Sequence, residues 1–303
     1  MPNEVLTRAI DAVASGTDLS AEQAQEVLAE IMAGNVGEAQ TAAFLIALRT
    51  KGETVDELTG LARTMRELAV PVEVPRDDLL EALGARIDLD PGGVARCIEE
   101  VGFGFMFAPA HHRATRHVVP VRKELGVRTI FNFLGPLTNP AGATRQLVGV
   151  IDPSYMELIA GALERLGTRH AMIVSSTDGL DELSICAETR VIEVADGATR
   201  AYTTSPEEVG LERADHSRVR GGTPAENAAI TRAVLEGEPG APRALVAFNA
   251  GAALMVAGRA ATLEEGVRLA EQTLDSGAAL EAMERFVSKT LELAPEEAGE
   301  RAR

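Results

Sequence analysis

The chain has 303 residues, 46% of them hydrophobic and 25% charged, the composition of an ordinary folded protein long enough for two domains. Its 29 Lys and Arg stand against 46 Asp and Glu, and the net charge of −17 argues against nucleic acid or an anionic membrane surface as partner, since phosphate contacts need clustered basic residues. The N-terminal MPNEVLTRAIDAV lacks a basic-then-apolar signal pattern, and no apolar run is long enough to span a bilayer. Cys97 and Cys186 lie far apart without metal-ligand spacing, so a reducing cytoplasm with two buried thiols is the expectation.

The first seventy residues predict one helix after another. Asn3 can cap a helix whose apolar residues Leu6, Ile10 and Val13 follow a 3.6-residue period, with Gly16 as its stop. Ser20 with Gln23, and Thr54 with Glu57, have the spacing of capping boxes ahead of two further helices. Between them AQTAAFLIALRTKG is mostly small and apolar and is expected to be buried nearly all round. AVPVEVP (69–75), with two prolines, reads as a linker, which makes residues 1–72 a small helical domain and 73–303 a second domain.

In the second domain the pattern alternates. QLVGVID and HAMIVSS are short β-rich runs separated by a helix with Pro153 in its first turn, a β-α-β signal that favours parallel pairing. TRVIEVADGATRAYTT is a hairpin around Asp196-Gly197. Beyond Thr223 the chain returns to helices as far as about Leu293, followed by a charged tail. The fold class is therefore α/β, with a small N-terminal helical domain and a larger domain around a mostly parallel central sheet.

One stretch, STDGLDELS (176–184), places Asp181 and Glu182 side by side after an apolar run. Neighbouring carboxylates cannot share one face of a strand, but in a loop they can reach one cation. A solvated acidic turn at Asp178-Gly179 explains the same residues.

AQTAAFLIALRTKGET, LEALGARIDL, VRKELGVRTIFNFLGPLTNPAGATRQLVGV, DGLDELS, GGTPAENAAITRAVLEG and FNAGAAL occur here in that order. The series resembles the anthranilate phosphoribosyltransferases over nearly the whole chain, and RTIFNFLGPLTNP followed by DGLDE is its most specific part. The resemblance implies a nucleoside phosphorylase/phosphoribosyltransferase-type fold and transfer of the phosphoribosyl group of phosphoribosyl pyrophosphate (PRPP) to anthranilate in tryptophan biosynthesis. It also implies Mg²⁺ as cofactor and a homodimer joined through the helical domains. Asp181 and Glu182 match the acidic pair that holds Mg²⁺ on the diphosphate, a role suited to a cation that takes one or two carboxylates and fills its remaining positions with water and phosphate oxygens. Arg122 matches the arginine that faces the anthranilate carboxylate, and Gly135 with Pro136 the turn that walls the aromatic-acid site. His112 matches a histidine on the anthranilate path, although Arg113 stands where the family usually has proline. Asn227 and Asn249 read as capping or loop-holding residues.

The resemblance breaks at one place. Where the family carries a strand, a Gly-Thr-Gly-Gly-Asp phosphate loop, a helix and a Lys-His-Gly-Asn-Arg segment, this chain passes directly from Leu80 to Glu81. A unit of roughly thirty residues or more, the size of a βαβ element, is missing. The chain as written is therefore expected to be inactive. The alternative reading is a non-catalytic relative that keeps the fold and serves as a binding or structural subunit.

Overall fold

Three of the first four helices start at side-chain caps in the computed structural model, which describes residues 2–68, 79–107 and 117–294. The side chain of Asn3 accepts from the backbone N–H groups of Val5 and Leu6 to open α1 (Glu4–Ala14). Both capping boxes form, Ser20–Gln23 before α2 (Ala21–Met32) and Thr54–Glu57 before α4 (Val55–Glu67). Glu57 does more than cap. Its buried carboxylate accepts from the Leu19 backbone N–H at 3.0 Å, the Thr54 N–H at 2.9 Å and the Lys51 ammonium at 3.1 Å. One side chain thereby ties the starts of α2 and α4 to the end of α3 (Glu38–Lys51). The expected linker at 69–75 lies outside the described residues.

α3 departs from the expectation of burial all round. Thr41, Phe44, Leu45 and Leu48 face the core, whereas Ala39 and Ala43 are exposed and Ile46 is 36% exposed. The reason is packing: α1 and α7 (Val119–Leu125) lie against α3, and an apolar strip between them stays uncovered in the single chain.

The sheet contains β1 (Arg145–Gly149), β2 (His170–Ser176), β3 (Thr189–Ala195) and β4 (Ala198–Thr204), in that spatial order. β1 follows the short helix α8 (Phe131–Leu134), and β1 and β2 are parallel and joined by α9 (Met156–Arg165), as the β-α-β signal predicts. The other two pairings are antiparallel, so among the described residues the sheet is mixed rather than mostly parallel. The cause is local. β3 follows β2 through a loop with no crossover helix, and Asp196-Gly197, with φ of 51° and 75°, makes a two-residue turn that returns the chain as β4.

Each face of the sheet meets its own core. Ala171 and Ile173 of β2 join Ile192 and Val194 of β3 against α9 and the N-terminal helices, a core that also contains Val118 and, from α7, Val121. Met172 and Val174, pointing the other way, pack with Val191 against Phe248, Ala252 and Val267 of α11 (Ala241–Val256) and α12 (Leu263–Asp275). α11 and α12 cross closely, and a Cβ on Gly266 would lie 2.2 Å from the Gly251 carbonyl oxygen. The chain around the Leu80–Glu81 join forms the short helix α5 (Leu79–Ala82), which packs on α10 (Pro224–Leu235). The α6 helix (Pro91–Val101) packs on α13 (Ala278–Leu293), with Leu89, Val94, Cys97 and Phe286 as a separate small core. No described helix is long and apolar enough to cross a membrane.

Candidate active site

The acidic stretch follows β2, at the C-terminal end of the parallel pair, where open α/β sheets place their ligands. The Asp178 side chain accepts from the Leu180 N–H at 3.2 Å and from the Ser184 hydroxyl at 2.6 Å, folding the loop on itself. Gly179, at φ 91°, makes the turn. The Asn249 amide on α11 then clamps the residue after Glu182 from both sides: the Leu183 N–H donates to it at 2.9 Å, and it donates to the Leu183 carbonyl at 2.9 Å. Asn227 likewise holds both backbone groups of Gly222. Both asparagines are loop-holding, as read from the sequence.

The loop also presses on β1. A Cβ on Gly149 would lie 1.6 Å from the Asp181 carbonyl oxygen, so only glycine admits the acidic pair at this position. Sequence reasoning missed Gly149, although an isolated glycine inside a strand pattern is the signal that marks a close backbone approach.

Asp181 is exposed and lines a cavity of about 280 Å³ together with Pro136, Gly149, Asp152, Arg128 and Asn132. Glu182 is half-buried. Burial first, and then the negative charges of Asp181 and Asp178, hold its carboxyl above the ordinary glutamate range. Among the described residues neither carboxylate has an ion-pair partner. Two unpaired oxygen-donor groups with uncompensated like charge suit a hard divalent cation.

Arg122 stands in α7 at the edge of an adjoining depression of about 360 Å³, which it lines with Lys123 and Val127. Its guanidinium carbon lies 5.9 Å from the centre of the Phe131 ring, and burial pulls its pKa down from the ordinary arginine value without discharging it. Arg128 and Asn132 line both depressions and form the wall between them. Gly135 opens the short turn Gly135–Leu137 at the rim, and a Cβ there would meet no atom within 4 Å. The Arg66 side chain of α4 donates to the Leu137 carbonyl at 2.6 Å and ties that turn to the helical domain. The structure thus brings Asp181, Arg122 and the Gly135 turn to one region and adds Arg128, Asn132 and Lys123 to them, while half-buried Glu182 follows Asp181 in the chain and lines neither depression. His112 lies outside the described residues.

These features give adjoining depressions a basic side and an acidic side, and the class of the protein is given by two family profiles. The profile described as the helical bundle domain of a glycosyl transferase family matches residues 7–69, and that of the family's a/b domain matches residues 74–280. The anthranilate phosphoribosyltransferase of Symbiobacterium thermophilum is 46% identical over 334 positions, covering 94% of this chain and 98% of that protein. The one from Rubrobacter xylanophilus is 45% identical, covering 96% and 99%. The crystal structure of anthranilate phosphoribosyltransferase from Thermus thermophilus superposes with a TM-score of 0.86 at 40% identity, over 93% of this chain and 99% of that one. The Saccharomyces cerevisiae enzyme, in complex with PRPP and Mg, shares the fold at a TM-score of 0.84 and 22% identity, over 95% and 98% of the two chains. The chain belongs to the anthranilate phosphoribosyltransferase family.

The Asn249 clamp gives a direct test of how the acidic loop is held. Asn249→Ala leaves both backbone groups of buried Leu183 unpaired and is expected to lower stability by about 1–3 kcal/mol in urea unfolding. Asn249→Asp, which keeps only the acceptor, should fall between. An unchanged midpoint for the alanine variant would show that the loop is held by other contacts.

Proposed function

We propose that the two adjoining depressions form one site, in which anthranilate lies on the Arg122 side and the diphosphate of PRPP on the Asp181–Glu182 side. The observation that carries this reading is electrostatic. In a chain of net charge −17, Arg122, Lys123 and Arg128 gather along the same cleft, and none of them makes an ion pair among the described residues. Such a cleft attracts anions that the rest of the surface repels. The free thiols of Cys97 and Cys186 accord with work in a reducing cytoplasm.

Arg122 offers a two-pronged donor to the anthranilate carboxylate and so directs the amine toward the ribose. The amine nitrogen bonds to ribose C1 as the bond from C1 to the pyrophosphate oxygen breaks. The amine proton passes to solvent, leaving N-(5-phosphoribosyl)anthranilate and pyrophosphate. Asp181 and Glu182 would hold Mg²⁺, which when bound supplies positive charge against the departing diphosphate. The Gly135 turn, whose Pro136 lines the Asp181 depression, and His112 are assigned to the aromatic acid by their places in the motif series.

Turnover needs the phosphates positioned, and the chain passes from Leu80 to Glu81 where the family carries its glycine loop. The alignment with the Symbiobacterium thermophilum protein spans 334 positions, 31 more than this chain has residues. β1, next to which further parallel strands would pair, is an edge strand among the described residues. Loss of one oxyanion-type donor costs about 10²–10³ in rate, so the 303-residue chain should make no measurable product. Inserting a family-like segment between Leu80 and Glu81 should restore activity. Product formation at normal rates by the mass-verified 303-residue chain would sink this part of the proposal.

In the restored protein, calorimetry should show Asp181→Ala/Glu182→Ala losing the Mg²⁺ dependence of PRPP binding. Arg122→Ala should weaken anthranilate binding about ten-fold or more, from a charge-assisted bond of roughly 1.5–3 kcal/mol, with PRPP affected less. Metal coupling that persists in the double variant, or equal losses for both substrates at Arg122, would contradict the assignments.

The uncovered strip of α3, with Ala39, Ala43 and Ile46, supports a homodimer joined through the helical domain. Light scattering should report twice the chain mass at micromolar concentration, and Ile46→Glu should shift it toward monomer. A monomeric wild type would refute the dimer.

A further inference from the structure

At the acidic loop, with residues that line neither depression, three potential ligands of different chemistry converge. Asp178 comes from the turn after β2, Cys186 from the segment leading into β3, and His216 from the short 3-10 turn His216–Arg218. The side-chain oxygen, sulfur and nitrogen atoms all lie within 4.8 Å of one another, and Asp178 Oδ2 is 3.7 Å from His216 Nδ1. The framework is cross-tied: the Ala214 N–H donates to the Ile185 carbonyl at 2.9 Å, and the Cys186 N–H donates to the Ser184 hydroxyl at 2.9 Å. Two loops far apart in sequence are thus held together with their ligand atoms facing each other.

We propose that Asp178, Cys186 and His216 form a binding site for a borderline-soft divalent transition metal such as Zn²⁺ or Co²⁺. Sulfur, imidazole and carboxylate together select such ions, while the all-oxygen pair Asp181–Glu182 suits Mg²⁺. Ligand distances of about 2.0–2.3 Å require the three atoms to sit roughly 3.3–3.7 Å apart, so the group must close by up to about 1 Å. His216 and Asp178 already stand 3.7 Å apart, so the closing distance is toward Cys186, and the 63% exposed His216 side chain is free to adjust while that of Asp178 is only 5% exposed. The exposed side leaves room for water as a fourth ligand.

The same three residue types could instead suggest a nucleophilic cysteine. The environment opposes that: burial and then the negative charge of Asp178 push the Cys186 thiol up, so it is protonated at neutral pH and is a poor nucleophile. A metal ion changes the balance by replacing the proton. The S–H bond breaks, the proton goes to solvent, a sulfur–metal bond forms, and no electron changes hands. Asp178 Oδ2 must exchange its 2.6 Å hydrogen bond from Ser184 for the metal.

Co²⁺ titration of the full chain with Mg²⁺ in excess is the test. Wild type should develop thiolate-to-cobalt charge-transfer absorption that saturates at one equivalent and is displaced by Zn²⁺. Cys186→Ser should abolish the band, and His216→Ala, at an exposed position that does not endanger folding, should weaken binding at least ten-fold. Cys97→Ser and Asp181→Ala/Glu182→Ala should bind as wild type does, which separates this site from the proposed substrate cleft. Absence of the band in wild type, its survival in Cys186→Ser, or unchanged affinity in His216→Ala would overturn the proposal.

Discussion

Strand β2 has no exposed face, and the arrangement of the molecule follows from that constraint. From Ala171 to Ser176 every residue is buried, with Ala171 and Ile173 directed at one core and Met172 and Val174 at the other. A strand buried on both sides needs a layer on each. The N-terminal helices and α9 provide one, and α11 with α12 the other. The helical domain is therefore continuous with the α/β domain through a shared core, and α7, which carries Arg122, is held where the two meet. β2 also fixes where the chain emerges, and the acidic loop leaves its C-terminal end.

That loop is over-determined. Gly149 beneath it admits the Asp181 carbonyl, Asn249 beside it takes both backbone groups of Leu183, and Asp178 within it accepts two hydrogen bonds. Each contact satisfies backbone or buried polar groups and leaves the carboxylates of Asp181 and Glu182 unpaired. Holding a charged pair without neutralising it costs stability, and Glu182 records that cost in its raised pKa. A backbone tied at several points around uncompensated charge is what supports the proposed Mg²⁺ role of the pair.

Across the cleft the logic is the opposite one. Only three lysines occur in the chain, and one of them, Lys123, stands beside Arg122 and close to Arg128 in a protein of net charge −17. A few unpaired cations in such a surround act over a short range, because salt screens the wider field within about 8–10 Å. A negative net charge disfavours anions over the molecule as a whole, and the basic wall locally offsets it, which is the basis of the proposed placement of the carboxylate there.

The sequence by itself determined the features that depend on residues close together in the chain. Asn3, the two capping boxes, the Asp196-Gly197 turn and the β-α-β unit were legible because their interactions span two to four residues or one repeating period. The motif series carried the family and the roles expected of Arg122, Asp181 and Glu182. Only the tertiary structure decided that the sheet is mixed, that one side of α3 lies open, and that Arg128 and Asn132 join the two halves of the cleft. It also brought Cys186, half-buried where two buried thiols were expected, beside Asp178 and His216. Such features depend on how separate elements pack, and the contacts that hold the site join residues far apart in the chain, such as Asp181 over Gly149, or Leu183 against Asn249 at a separation of 66. Local pattern specifies a helix start or a turn because the partners are covalently near. Which distant backbone passes within contact of a glycine is set only when whole layers pack.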